Sequence, residues 1–245
     1  MVGGSWVAHA ESLLPFPPEE TAPDARVLLG DKPLNGSVHE NADGSFQLTG
    51  SQAGGSFNGG FSWNLQWDLT VKEDPFIIGS LTLTNLATDT RSFNLTLSLP
   101  ITPSFSPSLF GGSVHATLLD QNGDGSAFLG TNSMSPSIYR GTIDGVTVLS
   151  LFAGSVTCGG SGPSCGSTIS FDDGLPGPTL PGPAVVSNIG TFLNFSLSGG
   201  DKVTFLTNFT VEPPAAVPLP AAAPLLILGF GVLAAARRRR GGKPQ

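Results

Sequence analysis

The chain has 245 residues, 33 of them Gly and 21 Pro, with 12% charged residues and a formal net charge of −7. That acidity, with no basic cluster before the C-terminus, excludes nucleic-acid binding driven by counterion release. Apolar residues recur in ordered alternation, which excludes a disordered chain and, with β-branched and aromatic residues between Gly and Pro, points to an all-β class.

Residues 1–10 read as the end of a signal peptide. Export requires a basic start and an apolar core of about 7–15 residues, and Met1–Ala10 has neither. Ala8-His9-Ala10 before Glu11 nevertheless fits a small-x-small cleavage site, so a true signal is expected upstream of Met1. Residues 11–45 follow as a Pro-rich lead-in and first strands, with Glu11–Lys32 irregular. His39-Glu40-Asn41-Ala42-Asp43-Gly44-Ser45 carries turn chemistry.

Residues 46–212 are expected to form the β domain. Trp63, Leu65, Trp67, Leu69 and Val71 alternate with polar residues, which predicts a strand with one buried face. Leu81 and Leu83, then Phe93, Leu95, Leu97 and Leu99, predict two strands joined as a hairpin through Asn85–Thr90. Pro100, Pro103 and Pro107 break the pattern, and Val114, Ala116 and Leu118 predict a short strand. Asp144-Gly145 between two apolar runs predicts a two-residue hairpin, because both turn positions need positive φ. Thr168–Phe171 is a further short strand. Leu175–Pro183 holds four prolines and cannot be central. Phe192–Leu197 and Val203–Val211 predict a last hairpin. The sum is about nine to twelve strands in an antiparallel β-sandwich, with Ig-like and jelly-roll topologies both open.

Residues 213–240 differ in kind. Val217-Pro218-Leu219-Pro220-Ala221 opens twenty uncharged residues ending at Ala236, and Arg237, Arg238, Arg239 and Arg240 follow. As helix, twenty residues reach about the 30 Å of a bilayer core. Pro218, Pro220 and Pro224 weaken the helix before Leu225. The arginines act as a stop-transfer signal facing the cytoplasm, with residues 241–245 a cytoplasmic tail. Charge divides the same way. All 18 acidic residues and six basic ones precede Val217, leaving −12, whereas the tail carries +5.

The pentapeptide, the apolar run and the arginines together resemble the VPLPA type of the PEP-CTERM sorting signals of Gram-negative bacteria. The resemblance covers about residues 217–240. It implies that a membrane-embedded exosortase recognises Val217–Ala221 and removes the tail, with the protein transiently anchored in the inner membrane and then at the cell surface or in the matrix. The apolar run and arginines alone would also suit a permanent anchor. The middle of the chain, from Trp67-Asp68-Leu69-Thr70-Val71 to Asp120-Gln121-Asn122-Gly123-Asp124-Gly125, resembles other exported bacterial proteins with this tail, which implies a secreted β-sandwich.

Cys158 and Cys165 flank six residues, and in an oxidising compartment they are expected to form a disulfide. Asp120, Asn122, Asp124 and Ser126 match the first half of a calcium loop, with oxygen ligands at alternate positions and a Gly at the turn. Position twelve is Thr131 instead of the bidentate Glu. The competing reading is an Asx-rich turn that needs no metal. Gly162-Pro163-Ser164-Cys165-Gly166 has the Gly-x-Ser-x-Gly form, but strand rather than helix is expected after it. Asp172-Asp173 reads as a solvated turn, with no second acid to complete a glycosidase pair. Trp63 and Trp67 share one strand face, either as core or as a sugar-stacking platform. Four Asn-x-Ser/Thr sequons, at Asn35, Asn94, Asn194 and Asn208, read as strand-surface residues.

The expectation is a non-catalytic exported protein with a structural or adhesive role. Its alternatives are an exopolysaccharide-binding module, with or without calcium, and a glycoside hydrolase.

Overall fold

Every second residue from Trp63 to Val71 is buried, and Phe93–Leu99 and Val203–Val211 largely follow the same alternation. A computed structural model describes residues 24–55, 62–72, 75–133, 135–159 and 165–215. Sixteen strands and no helix occur among them. All the strands belong to a unit ending at Pro213, and the second unit, Pro214–Gln245, lies almost wholly outside the described residues.

The strands form two sheets, antiparallel at every pairing. The first contains β1 (Arg26–Leu29), β2 (Lys32–Pro33), β7 (Arg91–Pro100), β9 (Ser126–Thr131), β10 (Tyr139–Ile143), β11 (Val146–Leu151), β12 (Ser155–Gly159) and β15 (Asn188–Leu197). Its order is β11-β10-β15-β7-β1-β2, with β9 also on β15 and β12 on β9. The second contains β3 (Ser37–Glu40), β4 (Phe46–Gly55), β5 (Ser62–Lys72), β6 (Phe76–Asn85), β8 (Ser108–Leu119), β13 (Gly166–Asp173), β14 (Leu180–Gly182) and β16 (Lys202–Glu212). Its order is β13-β8-β16-β6-β5-β4-β3, with β14 also on β8.

The sheets share one core, which makes the architecture sandwich-like. Leu95, Leu97, Leu99, Leu193 and Phe195 of the first sheet and Leu81, Leu83, Val203, Phe205 and Phe209 of the second belong to one buried cluster. Phe195 and Phe205 meet across it with ring centroids 5.0 Å apart. The Tyr139 hydroxyl donates to the Asn208 carbonyl on the opposite sheet at 2.8 Å, and burial pushes its pKa up.

Four sequence expectations change. The predicted hairpins β6–β7 and β15–β16 are not hairpins. β6 and β16 lie in the second sheet, β7 and β15 in the first, so both connections cross between sheets. Alternation buries one face in either arrangement, so it does not distinguish them. The lead-in is not irregular throughout, since Arg26–Leu29 pairs with Leu95–Ser98 of β7. The strand around Val114–Leu118 runs twelve residues, because β16 pairs with it from Leu109 to Leu119. Asp172 and Asp173 end strand β13 instead of forming a turn. The Asp144-Gly145 hairpin has the expected geometry, with φ of 49° and 77° and Ile143 opposite Val146.

Candidate functional site

Three sheet crossings meet at one end of the unit. They are β6 to β7, β8 to β9 through Asp120–Gly125, and β15 to β16 through Ser198–Asp201. Two fully buried polar side chains hold them together, Asn85 and Asp201. The Asn85 amide nitrogen donates to the carbonyls of Asp89 (3.0 Å), Leu197 (2.9 Å) and Ser198 (3.0 Å). Its amide oxygen accepts from Ala87 N–H at 3.1 Å. Its backbone N–H donates to Asp201 O, and its carbonyl accepts from Gly200 N–H. Asn85 thereby has its hydrogen-bonding capacity filled, as a buried amide requires.

The Asp201 carboxylate accepts from Ser198 Oγ and from Gln121 N–H at 3.3 Å. Burial raises its pKa. The hydrogen bonds from Ser198 and Gln121 oppose that shift, whereas the nearby carboxylates of Asp120 and Asp124 add to it.

The loop Asp120–Ser126 is built on Asx turns. Asp120 is buried, and its two oxygens accept from Gly123 N–H (2.7 Å) and Gly125 N–H (2.8 Å). Asn122 Oδ1 accepts from Asp124 N–H at 2.8 Å. Its Nδ2 donates to Asp124 Oδ2 (3.1 Å) and to Gly199 O (3.0 Å). Asp124 Oδ1 accepts from Ser126 N–H and Ser126 Oγ, each at 2.9 Å. The Ser126 backbone bond, then the Ser126 hydroxyl and the Asn122 amide, hold the Asp124 pKa below the usual carboxylate range.

Every side-chain oxygen proposed as a calcium ligand on Asp120, Asn122 and Asp124 thus accepts a donor from the loop itself. Among the described residues no group of three or more His, Cys, Asp or Glu side chains is placed to hold a metal ion. The donor set fits a self-sufficient turn better than a cation cage, which needs about six to eight oxygens converging on one point. The turn at Asn41–Ser45 is similar. The Ser45 hydroxyl and then its backbone N–H, both on the Asp43 carboxylate, lower the Asp43 pKa.

Cys158 and Cys165 form a disulfide. Cys158 lies on β12 in the first sheet, and Cys165 immediately precedes β13 in the second, so the bond joins the two sheets. The Cys165 carbonyl accepts from Asp120 N–H at 3.0 Å, which connects this staple to the turn.

The other candidates are dispersed. Trp63 and Trp67 are 6% and 4% exposed and belong to the core, so they present no stacking platform. Asp172 and Asp173 are exposed at the end of β13. His115 Nδ1 lies 2.5 Å from Ser170 Oγ across β8 and β13 on an open sheet face. No carboxylate hydrogen-bonds that imidazole among the described residues. Of the sequons, Asn194 is buried and faces Asn94 across the strand pair, contrary to the surface reading. Ser164, the motif Val217–Ala221 and Arg237–Arg240 lie outside the described residues.

Sequence reasoning missed Asn85 and Asp201. Each sits in a turn-rich connection, where Asn and Asp are ordinary, and Asn85 is 113 residues from its partner Ser198. No family model matches the chain, and no curated protein matches it.

Proposed function

We propose that this is an exported cell-surface or extracellular-matrix protein with a structural or adhesive role, sorted by an exosortase that acts at Val217–Ala221 and removes the tail. The observation that carries the reading is the ordered triplet of pentapeptide, uncharged run to Ala236 and four arginines. In this reading the apolar run forms a transmembrane helix during transit, and a β-sandwich is left outside. Two features support it. The Cys158–Cys165 disulfide suits an oxidising compartment. The polar groups at the crossing end are spent on holding loops together, with Asp201 and Asn85 sealed from solvent, which suits a scaffold better than a catalyst. The role requires neither a cofactor nor a metal.

One observation favours exopolysaccharide binding as a second reading. On the outward face of the second sheet, Ser51, Gln66, Thr82, Thr204, Thr117 and Thr168 stand side by side on six neighbouring strands. Such a row offers hydroxyl and amide groups to a neutral glycan.

The decisive measurement is the intact mass and location of the protein recovered from its native host. A mature C-terminus within or next to Val217–Ala221, on protein outside the inner membrane, is expected. A retained Arg237–Arg240 tail would overturn sorting by cleavage. Retention on host polysaccharide, measured with and without a chelator, separates the second reading. Retention that disappears with the chelator would restore the calcium loop.

A further inference from the structure

The edges of the two sheets are not equally protected. In the first sheet, β2 is two residues long and consists of Lys32 and Pro33, β12 has five residues, and β11 carries an extra residue, Val148, at a register shift opposite Gly141 and Thr142. In the second sheet, β3 has four residues, and β14 has three, including Pro181. Short length, charged side chains, Pro and bulges are the usual means of preventing edge-to-edge pairing. β13 carries charge only at its last two residues, Asp172 and Asp173. It runs eight residues, Gly166–Asp173, without Pro, Lys or Arg, and its register against β8 is unbroken from Leu119 to Gly112. Among the described residues no strand pairs with its other side. Its start is pinned by the Cys158–Cys165 bond, so the open edge is held rigid at that end.

We propose that β13 is a homotypic docking edge, pairing antiparallel with β13 of a second copy to continue the second sheet across a two-fold axis at Ser170. The strand is complementary to itself in that register. Ser170 faces Ser170, and Ile169 faces Phe171 twice, a pairing of branched and aromatic side chains that stabilises antiparallel strands. Asp172 faces Thr168 and Asp173 faces Ser167, so each carboxylate meets a hydroxyl and no like charges are opposed. The strand carries two acids and no base, so a second acidic strand is tolerated only where the acids are offset, as they are here. An isologous contact of this kind closes as a dimer instead of propagating. The association is independent of the sorting reading and stands whether or not the tail is removed.

Cross-linking of the full chain in mild detergent tests it. Both native cysteines are in a disulfide, so Ser170→Cys introduces a single free thiol opposite its own copy. With a mild oxidant, Ser170→Cys is expected to give a covalent dimer on a non-reducing gel. Thr82→Cys, on the same face of a central strand, is expected to give none. Adding Thr168→Lys to Ser170→Cys places a charge on the edge and should abolish the dimer. Equal yields from Ser170→Cys and Thr82→Cys, a dimer that persists with Thr168→Lys, or a Ser170→Cys cross-link in host cells to a different protein would each overturn the proposal.

Discussion

Two aspartates show opposite uses of a carboxyl group. Asp144 sits at the hairpin turn and accepts from the N–H groups of Val186 (2.8 Å), Ser187 (2.7 Å) and Asn188 (2.9 Å) and from the Ser187 hydroxyl (2.8 Å). Burial pulls its pKa upward, but these donors outweigh it and the net shift is down. Asp144 therefore stabilises the fold above the usual carboxylate pKa, and that contribution is lost as pH falls through its lowered value. Asp201 shifts the other way, raised by burial and by the carboxylates of Asp120 and Asp124. Its contribution is present below the unfolded value, near 3.8, and is lost as pH rises through the raised folded value. Asp201→Asn keeps an acceptor for Gln121 and removes the titration. Relative to the wild type, its Tm should climb as pH rises from the unfolded value near 3.8 through the raised folded value. A Tm difference that stays flat over the range would show that Asp201 does not titrate there. The sequence made Asp144 legible because its turn is local, with the next strand following at once. It hid Asp201, whose character depends on Gln121 and Asp120 brought in from another crossing.

At the scale of the element, β5 was the most legible strand and its partner the least. Trp63 and Trp67 announce a buried face, but the strand that receives their rings contains glycine. Gly50 stands opposite Trp67 and Gly54 opposite Trp63. A Cβ at either position would fall inside the facing indole. The rings lie over bare backbone, and the missing side chains make room for them. Gly50→Val should therefore displace Trp67. The expected cost is about 1–3 kcal/mol in urea unfolding, the range for overpacking, with tryptophan emission moved to the red. Unchanged emission and stability would mean that the ring shifts without loss. The β6–β7 and β15–β16 connections cross between the sheets. Connections as short as Leu86–Thr90 and Ser198–Asp201 between amphipathic strands can reverse the chain within one sheet or carry it to the other. The strand pairings decide for the second outcome, and the buried Asn85 ties the β6–β7 crossing to Leu197 and Ser198.

For the whole molecule, the two sheets are held by a common core and, at one end, by a covalent link. The Cys158–Cys165 bond closes a sequence separation of seven, for which loop entropy gives about 2.5 kcal/mol. Because the bond joins different sheets, its removal should also loosen the Asp120 turn that hydrogen-bonds the Cys165 carbonyl. Cys158→Ser with Cys165→Ser should lower the urea midpoint by that order, and wild-type protein in reductant should match the variant. Indistinguishable midpoints for oxidised wild type and variant would remove the staple from the account of stability.

By itself the sequence determined the all-β class, because period-two alternation requires only neighbouring residues and the difference between water and a core. It also determined the Asp-Gly turn, the placing of edge prolines such as Pro181, and the division between an acidic domain and a basic tail. Tertiary structure alone decided which strands share a sheet, which polar residues are buried, and which edges among the described residues are left open. Those outcomes depend on contacts between residues tens to more than a hundred positions apart, and a strand's own pattern is the same whichever partner it finds.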